Sequence, residues 1–89
     1  MRFTWEPRKA ASNVRKHGVS FEEAETVFAD PLALAVEDAV DPGRTVLIGM
    51  SERLRVLLTV YTDVDDDMIR IISARRATSH ERKQYEEGT

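Results

Sequence analysis

Apolar residues recur every three to four positions in the first third of the chain, and this spacing predicts two helices. The first helix begins at Pro7, because proline suits a first helical turn, and ends at Gly18, because glycine favours a left-handed C-cap. The second begins after Ser20, which forms a capping-box sequence with Glu23, and ends at Pro31. Its apolar face contains Phe21, Ala24, Val27 and Phe28.

From residue 32 the apolar period changes to two, the spacing of strands, and four strands are predicted at residues 32–36, 46–50, 55–62 and 68–74. Their connections are short, so consecutive strands should pair antiparallel. A short edge strand at residues 3–5 precedes the helices. A polar helix follows Thr78 and Glu81, which form a second capping-box sequence, and ends near residue 87.

These elements predict one α+β domain over residues 1–89, in the order β-α-α-β-β-β-β-α. The two N-terminal helices should pack on one face of an antiparallel sheet, with the short C-terminal helix at the end of the chain. The other face of the sheet should be open to a ligand or partner.

Composition excludes several classes of site. The chain has no cysteine, which rules out a disulfide scaffold, a thiol nucleophile and a thiolate metal site. The acidic turn at residues 63–67 lacks the glycine and later glutamate of a calcium loop, so no metal site is predicted. No phosphate-binding loop or dinucleotide motif occurs, so no cofactor is expected. No signal peptide or membrane span is visible, and a cytoplasmic protein without membrane contact is expected.

The charge is unevenly distributed, although the net charge is only −3. Residues 1–18 and 70–83 are basic, residues 19–43 carry acids but no Lys or Arg, and residues 63–67 form a second acidic group. This asymmetry favours a protein with one anionic ligand and one cationic partner. The alternative interpretation is an ordinary solvated surface.

Several segments together resemble one known family: residues 3–13, residues 16–24, Phe28-x-Asp30-Pro31, Ile48-Gly49-x-Ser51 and residues 69–86. In these segments the chain resembles BrnT, a family of bacterial toxins from type II toxin–antitoxin pairs. The resemblance implies a RelE-like fold and a ribonuclease that stops translation by cleaving RNA such as mRNA. It also implies neutralisation by a BrnA-like antitoxin, in a toxin–antitoxin heterotetramer that binds operator DNA through the antitoxin.

Metal-independent RNA cleavage needs a base for the 2′-hydroxyl, cations for the phosphorane charge and an acid for the leaving oxygen. Arginine suits the second role because its planar fork meets two phosphate oxygens. Strict strand alternation groups Arg70, Ile72, Ala74 and Arg76 on one face, and Ile69, Ile71, Ser73 and Arg75 on the other. Arg70 is therefore the first catalytic candidate. Arg76 is second and Arg75 third, since both lie at the strand end beside a helix N-terminus that attracts anions.

Proton transfer near neutral pH points to histidine, and the chain has two. His17 is the catalytic candidate because it lies in a segment that resembles the family, whereas a helix-terminal cap is its alternative role. Tyr85 is added as a catalytic candidate because the resemblance implies a C-terminal tyrosine, whereas a hydrophobic anchor is its alternative role. The predicted RNA contacts are Lys9, Lys16, His80 and Lys83, each of which could instead be ordinary surface.

Two other functions stay open at this point. The chain could be a non-catalytic nucleic-acid-binding or partner-binding module, in which Arg70, Arg75 and Arg76 hold phosphate without an acid–base pair. It could also be an interaction protein whose open sheet face binds a partner strand or helix.

Overall fold

The computed structural model describes residues 1–88 and folds them into a five-stranded sheet with three α-helices. The order of elements agrees with the predicted order. Along the chain they are β1 (Arg2–Thr4), α1 (Pro7–His17), α2 (Phe21–Thr26), a short 3₁₀ helix (Val27–Ala29), β2 (Leu34–Glu37), β3 (Thr45–Met50), β4 (Val56–Asp65), β5 (Met68–Arg76) and α3 (Ser79–Glu87). No helix within residues 1–88 is long and apolar enough to cross a membrane.

The strands lie side by side in the order β1-β5-β4-β3-β2. Strands β2 to β5 pair antiparallel with their chain neighbours, as their short connections predict. Strand β1 instead pairs parallel with β5, with Phe3 opposite Ile69, so the sheet is mixed. Because β1 reaches only as far as Arg70 of β5, the second half of β5 has no neighbouring strand on that side.

A β-bulge at Ile72 changes the side-chain pattern of β5. Tyr61 of β4 pairs with Ile71, whereas the adjacent Val60 pairs with Ser73, so Ile72 is an extra residue. The strict alternation predicted for β5 is therefore wrong beyond Ile72. Ala74 is buried in the core beside Ile71 rather than sharing a face with Arg70. Arg75 lies on the same face as Arg70, with Leu58 opposite it.

The core lies between the sheet and the first two helices, both of which contact β5. Phe21, Ala24 and Val27 are fully buried, which confirms the predicted apolar face of the second helix. Helix α1 ends at Gly18 with φ 67°, the left-handed conformation that its C-cap position requires. Gly49 has no Cβ, and a Cβ at this position would lie only 2.8 Å from the Val27 side chain. The missing side chain allows the 3₁₀ helix to pack directly on β3.

The predicted capping box at Ser20 is only half formed. The Ser20 hydroxyl accepts a hydrogen bond from the backbone N–H of Glu23, but the Glu23 carboxylate does not return to Ser20. It is buried, and it accepts hydrogen bonds from Arg55 and from the Ser51 hydroxyl. The hydrogen bond from Arg55 holds the pKa of Glu23 below its usual value despite burial. Arg55 also donates to the carbonyl of Gly18.

Asn13 fixes α1 to the free edge of β5. Its side-chain amide accepts a hydrogen bond from the N–H of Ala74 at 3.1 Å and donates to the C=O of Ala74 at 2.7 Å. The same amide nitrogen donates to the C=O of Val19 at 2.8 Å. A side chain therefore supplies the pairing that a sixth strand would give, where β1 no longer reaches.

The sheet face away from α1 and α2 is only partly open, which corrects the predicted open face. Helix α3 contacts β3 from this side, and Ile48 of β3 is 3% exposed. The helix begins with the predicted capping box of Thr78 and Glu81. None of its residues is fully buried, and its two ends are attached by polar contacts, from Arg75 to Glu81 and from Tyr85 to Asp30.

The hydrogen bonds of Asn13 lead to the first prediction. Replacing Asn13 with Ala leaves buried polar groups of Val19 and Ala74 without partners. We expect the free energy of unfolding to fall by roughly 3 kcal/mol, since each such group costs about 1–3 kcal/mol. Urea unfolding followed by circular dichroism measures this change. Arg15→Ala, at an exposed position of the same helix, is the control and should change stability by less than about 0.5 kcal/mol. Equal stability of the two variants would contradict the role assigned to Asn13.

Candidate RNA interface

A small groove lies between α1 and the free edge of β5. Its volume is about 180 Å³. On the α1 side it is lined by Lys9, Ser12, Asn13, Lys16 and His17, and on the β5 side by Ile72 and Ser73. We call this the α1–β5 groove. It brings together three of the predicted residues, namely Lys9, Lys16 and His17.

The helical spacing of α1 explains why these side chains line one groove. Lys9, Asn13 and Lys16 are separated by four and then three residues, so they lie on the same face of the helix. Asn13 holds this face against β5 through Ala74. His17 is the last residue of α1 and is followed by the left-handed Gly18. His17 therefore lies at the C-terminal end of the basic face, next to Lys16, and Lys9 lies towards the other end.

Arg70 and Arg76 lie outside the groove on the same strand. Arg70 is exposed, with Thr62 of β4 and Thr4 of β1 on either side of it. Arg76 is exposed at the last position of β5. Neither takes part in an ion pair among those found within residues 1–88. Both guanidinium groups are thus accessible to an anionic ligand.

Arg75 is engaged by a carboxylate of the protein. Its two terminal nitrogens donate to the two oxygens of Glu81, at 2.8 Å and 2.9 Å. This bidentate pair lowers the pKa of Glu81 to about 2. The Glu81 carboxylate also accepts a hydrogen bond from the Thr78 N–H, as its place in the capping box requires. Arg75 therefore links the end of β5 to the first turn of α3.

Tyr85 is also engaged within the protein. Its hydroxyl donates to Asp30 Oδ2 at 2.6 Å, and this bond raises the pKa of Tyr85 to about 12. The same carboxylate accepts hydrogen bonds from the N–H groups of Leu32 and Met50. Burial alone raises the pKa of Asp30, but the hydrogen bonds from Met50, Tyr85 and Leu32 together bring it below its usual value. The phenol thus anchors the far end of α3.

His80 and Lys83 lie on the exposed side of α3. Together with Gln84 and Glu87 they line a shallow depression, which shares no residue with the α1–β5 groove. The structure therefore separates these two predicted RNA contacts from Lys9, Lys16 and His17.

Sequence reasoning missed three groove residues, Ser12, Asn13 and Ser73. The first two could have been found from their helical spacing to Lys9 and Lys16. Ser73 could not, because its position at the strand edge follows from the bulge at Ile72, which only the pairing of β4 with β5 shows. Residues 1–88 contain no cluster of three or more His, Asp or Glu side chains suited to a metal ion. The chemistry that the groove offers is an imidazole, two ammonium groups and two hydroxyls.

Comparison with known families identifies the chain. Residues 5–81 match the model of a family described as the ribonuclease toxin BrnT of type II toxin–antitoxin systems. The chain belongs to the BrnT family. The match includes the whole α1–β5 groove, both exposed arginines of β5 and the Arg75–Glu81 pair. No individual curated protein gives a significant match.

A solved BrnT structure has the same fold. The crystal structure of the Brucella abortus ribonuclease toxin BrnT, at 1.1 Å, matches with a TM-score of 0.74 and 23% sequence identity. The match covers 89% of this chain and 99% of the Brucella chain. The predicted α+β architecture and the resemblance to BrnT are thereby confirmed.

The ion pair of Glu81 leads to the second prediction. Glu81→Gln keeps a side chain that can cap α3 but removes the charge that holds Arg75. We expect faster hydrogen–deuterium exchange of the α3 amides by several-fold at neutral pH, because α3 has no buried residue to hold it otherwise. Glu86→Gln, an exposed position on the same helix, is the control and should leave exchange unchanged.

The stabilisation that Glu81→Gln removes should depend on pH. Because the pKa of Glu81 is lowered from 4.5 to about 2, its stabilising effect is complete above pH 4.5 and is lost as pH falls towards 2. The difference in unfolding free energy between the unmodified chain and Glu81→Gln should therefore shrink between pH 5 and pH 2. A difference that grows on acidification would contradict the ion pair.

Proposed function

We propose that this BrnT chain is an endoribonuclease that cleaves RNA without a metal ion and thereby inhibits translation. The observation that carries the proposal is the α1–β5 groove, which is lined by one imidazole and two lysines and lies at the free edge of a strand that also bears exposed arginines. An imidazole can serve as the base, and the cations can stabilise the phosphorane charge, when the neighbouring 2′-hydroxyl attacks a phosphodiester. The family name supports ribonuclease activity.

In the proposed reaction His17 acts as the base. Its imidazole takes the proton of the 2′-hydroxyl, the 2′-oxygen attacks phosphorus, and the bond to the 5′-oxygen breaks. The products are a 2′,3′-cyclic phosphate and a 5′-hydroxyl, whose proton comes from solvent at the mouth of the groove. Lys9 and Lys16 stabilise the added negative charge on the phosphorane. The hydroxyls of Ser12 and Ser73 can donate hydrogen bonds to its oxygens.

Arg70 and Arg76 add cationic groups at two positions of β5 outside the groove. The bulge at Ile72 places them on opposite faces of the sheet rather than on the shared face that strict alternation predicts. We propose that they bind phosphates on either side of the cleaved bond, since guanidinium groups bind phosphate oxygens bidentately. Arg75 and Tyr85 act indirectly in this proposal, because Glu81 and Asp30 already engage them and they position α3. His80 and Lys83 would make peripheral phosphate contacts from the outer side of α3.

The partner in the proposal is a BrnA-like antitoxin that neutralises the toxin in the cytoplasm. Membership of a type II toxin–antitoxin family supports an antitoxin and an RNA target. We further propose a heterotetramer of toxin and antitoxin that binds operator DNA through the antitoxin.

One observation favours a second candidate function, a module that binds RNA without cleaving it. The Tyr85 hydroxyl donates to Asp30, so within residues 1–88 the groove holds a single imidazole and no neighbouring phenol. If His17 cannot perform the proton transfer alone, the same cations would hold RNA intact.

A third prediction separates these two functions. His17→Ala should lower the rate of cleavage of a single-stranded RNA by at least about 100-fold, because general base catalysis contributes on that order. RNA binding measured by fluorescence anisotropy should change little. Arg15→Ala, in the same helical turn but outside the groove, is the control and should cleave normally. Tight binding of RNA by the unmodified chain without any cleavage would support the module instead.

A fourth prediction concerns the arginines of β5. Arg70→Ala and Arg76→Ala should each reduce the growth arrest caused by expressing the chain, without changing its unfolding temperature, because both side chains are exposed. Arg44→Ala is the control, since this arginine pairs with Asp41 in the loop before β3. Growth arrest is scored as colony number after induction. If both arginine variants arrest growth fully, the proposal that these arginines bind RNA phosphates is wrong.

A further inference from the structure

A second cavity, of about 430 Å³, lies on the sheet face that α3 partly covers. We call it the second-face cavity. Its floor is aliphatic, and polar side chains of β5 and α3 form one wall. The floor contains Val46, Ile48, Leu58 and Val60, the wall contains Ser73, Arg75, Glu81 and Gln84, and the opposite rim contains Val36, Glu37, Asp38 and Ala39.

The cavity adjoins the α1–β5 groove. Ser73 lines both, because the bulge at Ile72 places it on the second face while the strand edge beside it faces α1. A chain that passes over the free edge of β5 at Ser73 can therefore occupy both sites at once. One nucleotide unit has this arrangement, with a phosphate and a base on opposite sides of a sugar.

The charges decide which part of a nucleotide enters the cavity. Glu37 and Asp38 stand at the rim, and hydrogen bonds from the N–H groups of Val40 and Asp41 hold the pKa of Asp38 below its usual value. Arg75, the cation of the wall, is paired with Glu81. An anionic phosphate is therefore repelled here, whereas the α1–β5 groove carries two lysines. A neutral base meets no such repulsion.

The lining also suits a base. The aliphatic side chains on the sheet face offer an apolar surface that the ring of an unstacked base can contact, and removing apolar surface from water is favourable. The volume lies within the range of about 300–1,000 Å³ that is common for small-molecule sites. Gln84 presents a carbonyl acceptor and an amide donor group at the wall, which is the pair of functions that the hydrogen-bonding edge of a base can match.

We propose that the second-face cavity binds one unstacked nucleobase of the RNA substrate, next to the cleaved phosphate, and that Gln84 reads its edge. The inference rests on the proposed ribonuclease function and specifies its substrate subsite. Arg75, Glu81 and Tyr85 are then positioning residues, because they hold α3 so that Gln84 faces the cavity.

The fifth prediction uses Gln84→Glu, which replaces the amide donors with acceptors at nearly constant shape. Two RNA oligonucleotides that differ by cytosine or uracil at the cleavage site provide the test, since cytosine offers an amino group where uracil offers a carbonyl. We expect the ratio of kcat/KM for cytosine over uracil to rise by about tenfold in the variant. Arg82→Gln changes the charge of α3 by the same amount at an exposed position and should leave this ratio unchanged.

A binding measurement separates failure of the subsite from failure of the ribonuclease. Cytidine 3′-monophosphate and uridine 3′-monophosphate are titrated into the protein, and the methyl resonances of Ile48, Leu58 and Val60 are followed by NMR. Saturable shifts that Gln84→Glu alters between the two nucleotides support the subsite, even if no RNA is cleaved. Absence of such shifts overturns it. Cleavage of RNA with the same cytosine-to-uracil ratio in the unmodified chain and in Gln84→Glu also overturns it, while the ribonuclease function stands.

Discussion

The pairing of the Asn13 amide with the backbone of Ala74 is the contact on which the proposed site depends. A strand edge inside a protein needs partners for its N–H and C=O groups, and β1 supplies them only as far as Arg70. A helix cannot normally replace a strand there, because its own backbone groups are already bonded. One side-chain amide on α1 can, since it carries both a donor and an acceptor. As a result, the basic face of α1 lies beside the part of the β5 edge that β1 does not cover.

A second buried polar group fixes the orientation of the same helix. Two hydrogen bonds hold the connection between α1 and α2: Arg55 donates to the carbonyl of Gly18, and Asn13 donates to the carbonyl of Val19. Glu23 is charged and buried, and it stays so because Arg55 is its partner. A small domain has a limited apolar core, so such networks contribute strongly to a single defined arrangement. The position of His17 thus follows from polar contacts rather than from packing of its own ring.

Much of the fold follows from local patterns. The caps at Gly18 and Thr78, the buried face of α2 and the antiparallel order of β2 to β5 can all be derived from spacing and turn chemistry. The predictions fail where a residue far away in the sequence determines the local structure. Nothing near Ile72 in the sequence shows that β4 will pair with one residue fewer, and this pairing moved Ser73 and Ala74 to the opposite faces.

The candidate site was predictable in composition but not in geometry. The sequence indicates which arginines, histidines and tyrosine are candidates for phosphate binding and RNA cleavage. It cannot show which of these side chains are already bound by other side chains of the protein. Arg75 differs from Arg70 because Glu81, in the first turn of α3, pairs with it. Tyr85 is engaged by Asp30, 55 residues earlier in the chain. Competition between ligand and internal partners is a property of the folded state.

The attachment of α3 connects stability with substrate choice. No residue of α3 is fully buried. Its specific side-chain contacts are an ion pair with Arg75 of β5 at its start and a hydrogen bond from Tyr85 to Asp30, after the 3₁₀ helix, near its end. Polar contacts of this kind at a partly exposed site resist local opening far less than an apolar core does. The α1–β5 groove depends on neither contact, whereas the second-face cavity loses a wall if α3 detaches. Conditions that loosen α3 should therefore affect which base is accepted before they affect whether a phosphate is held.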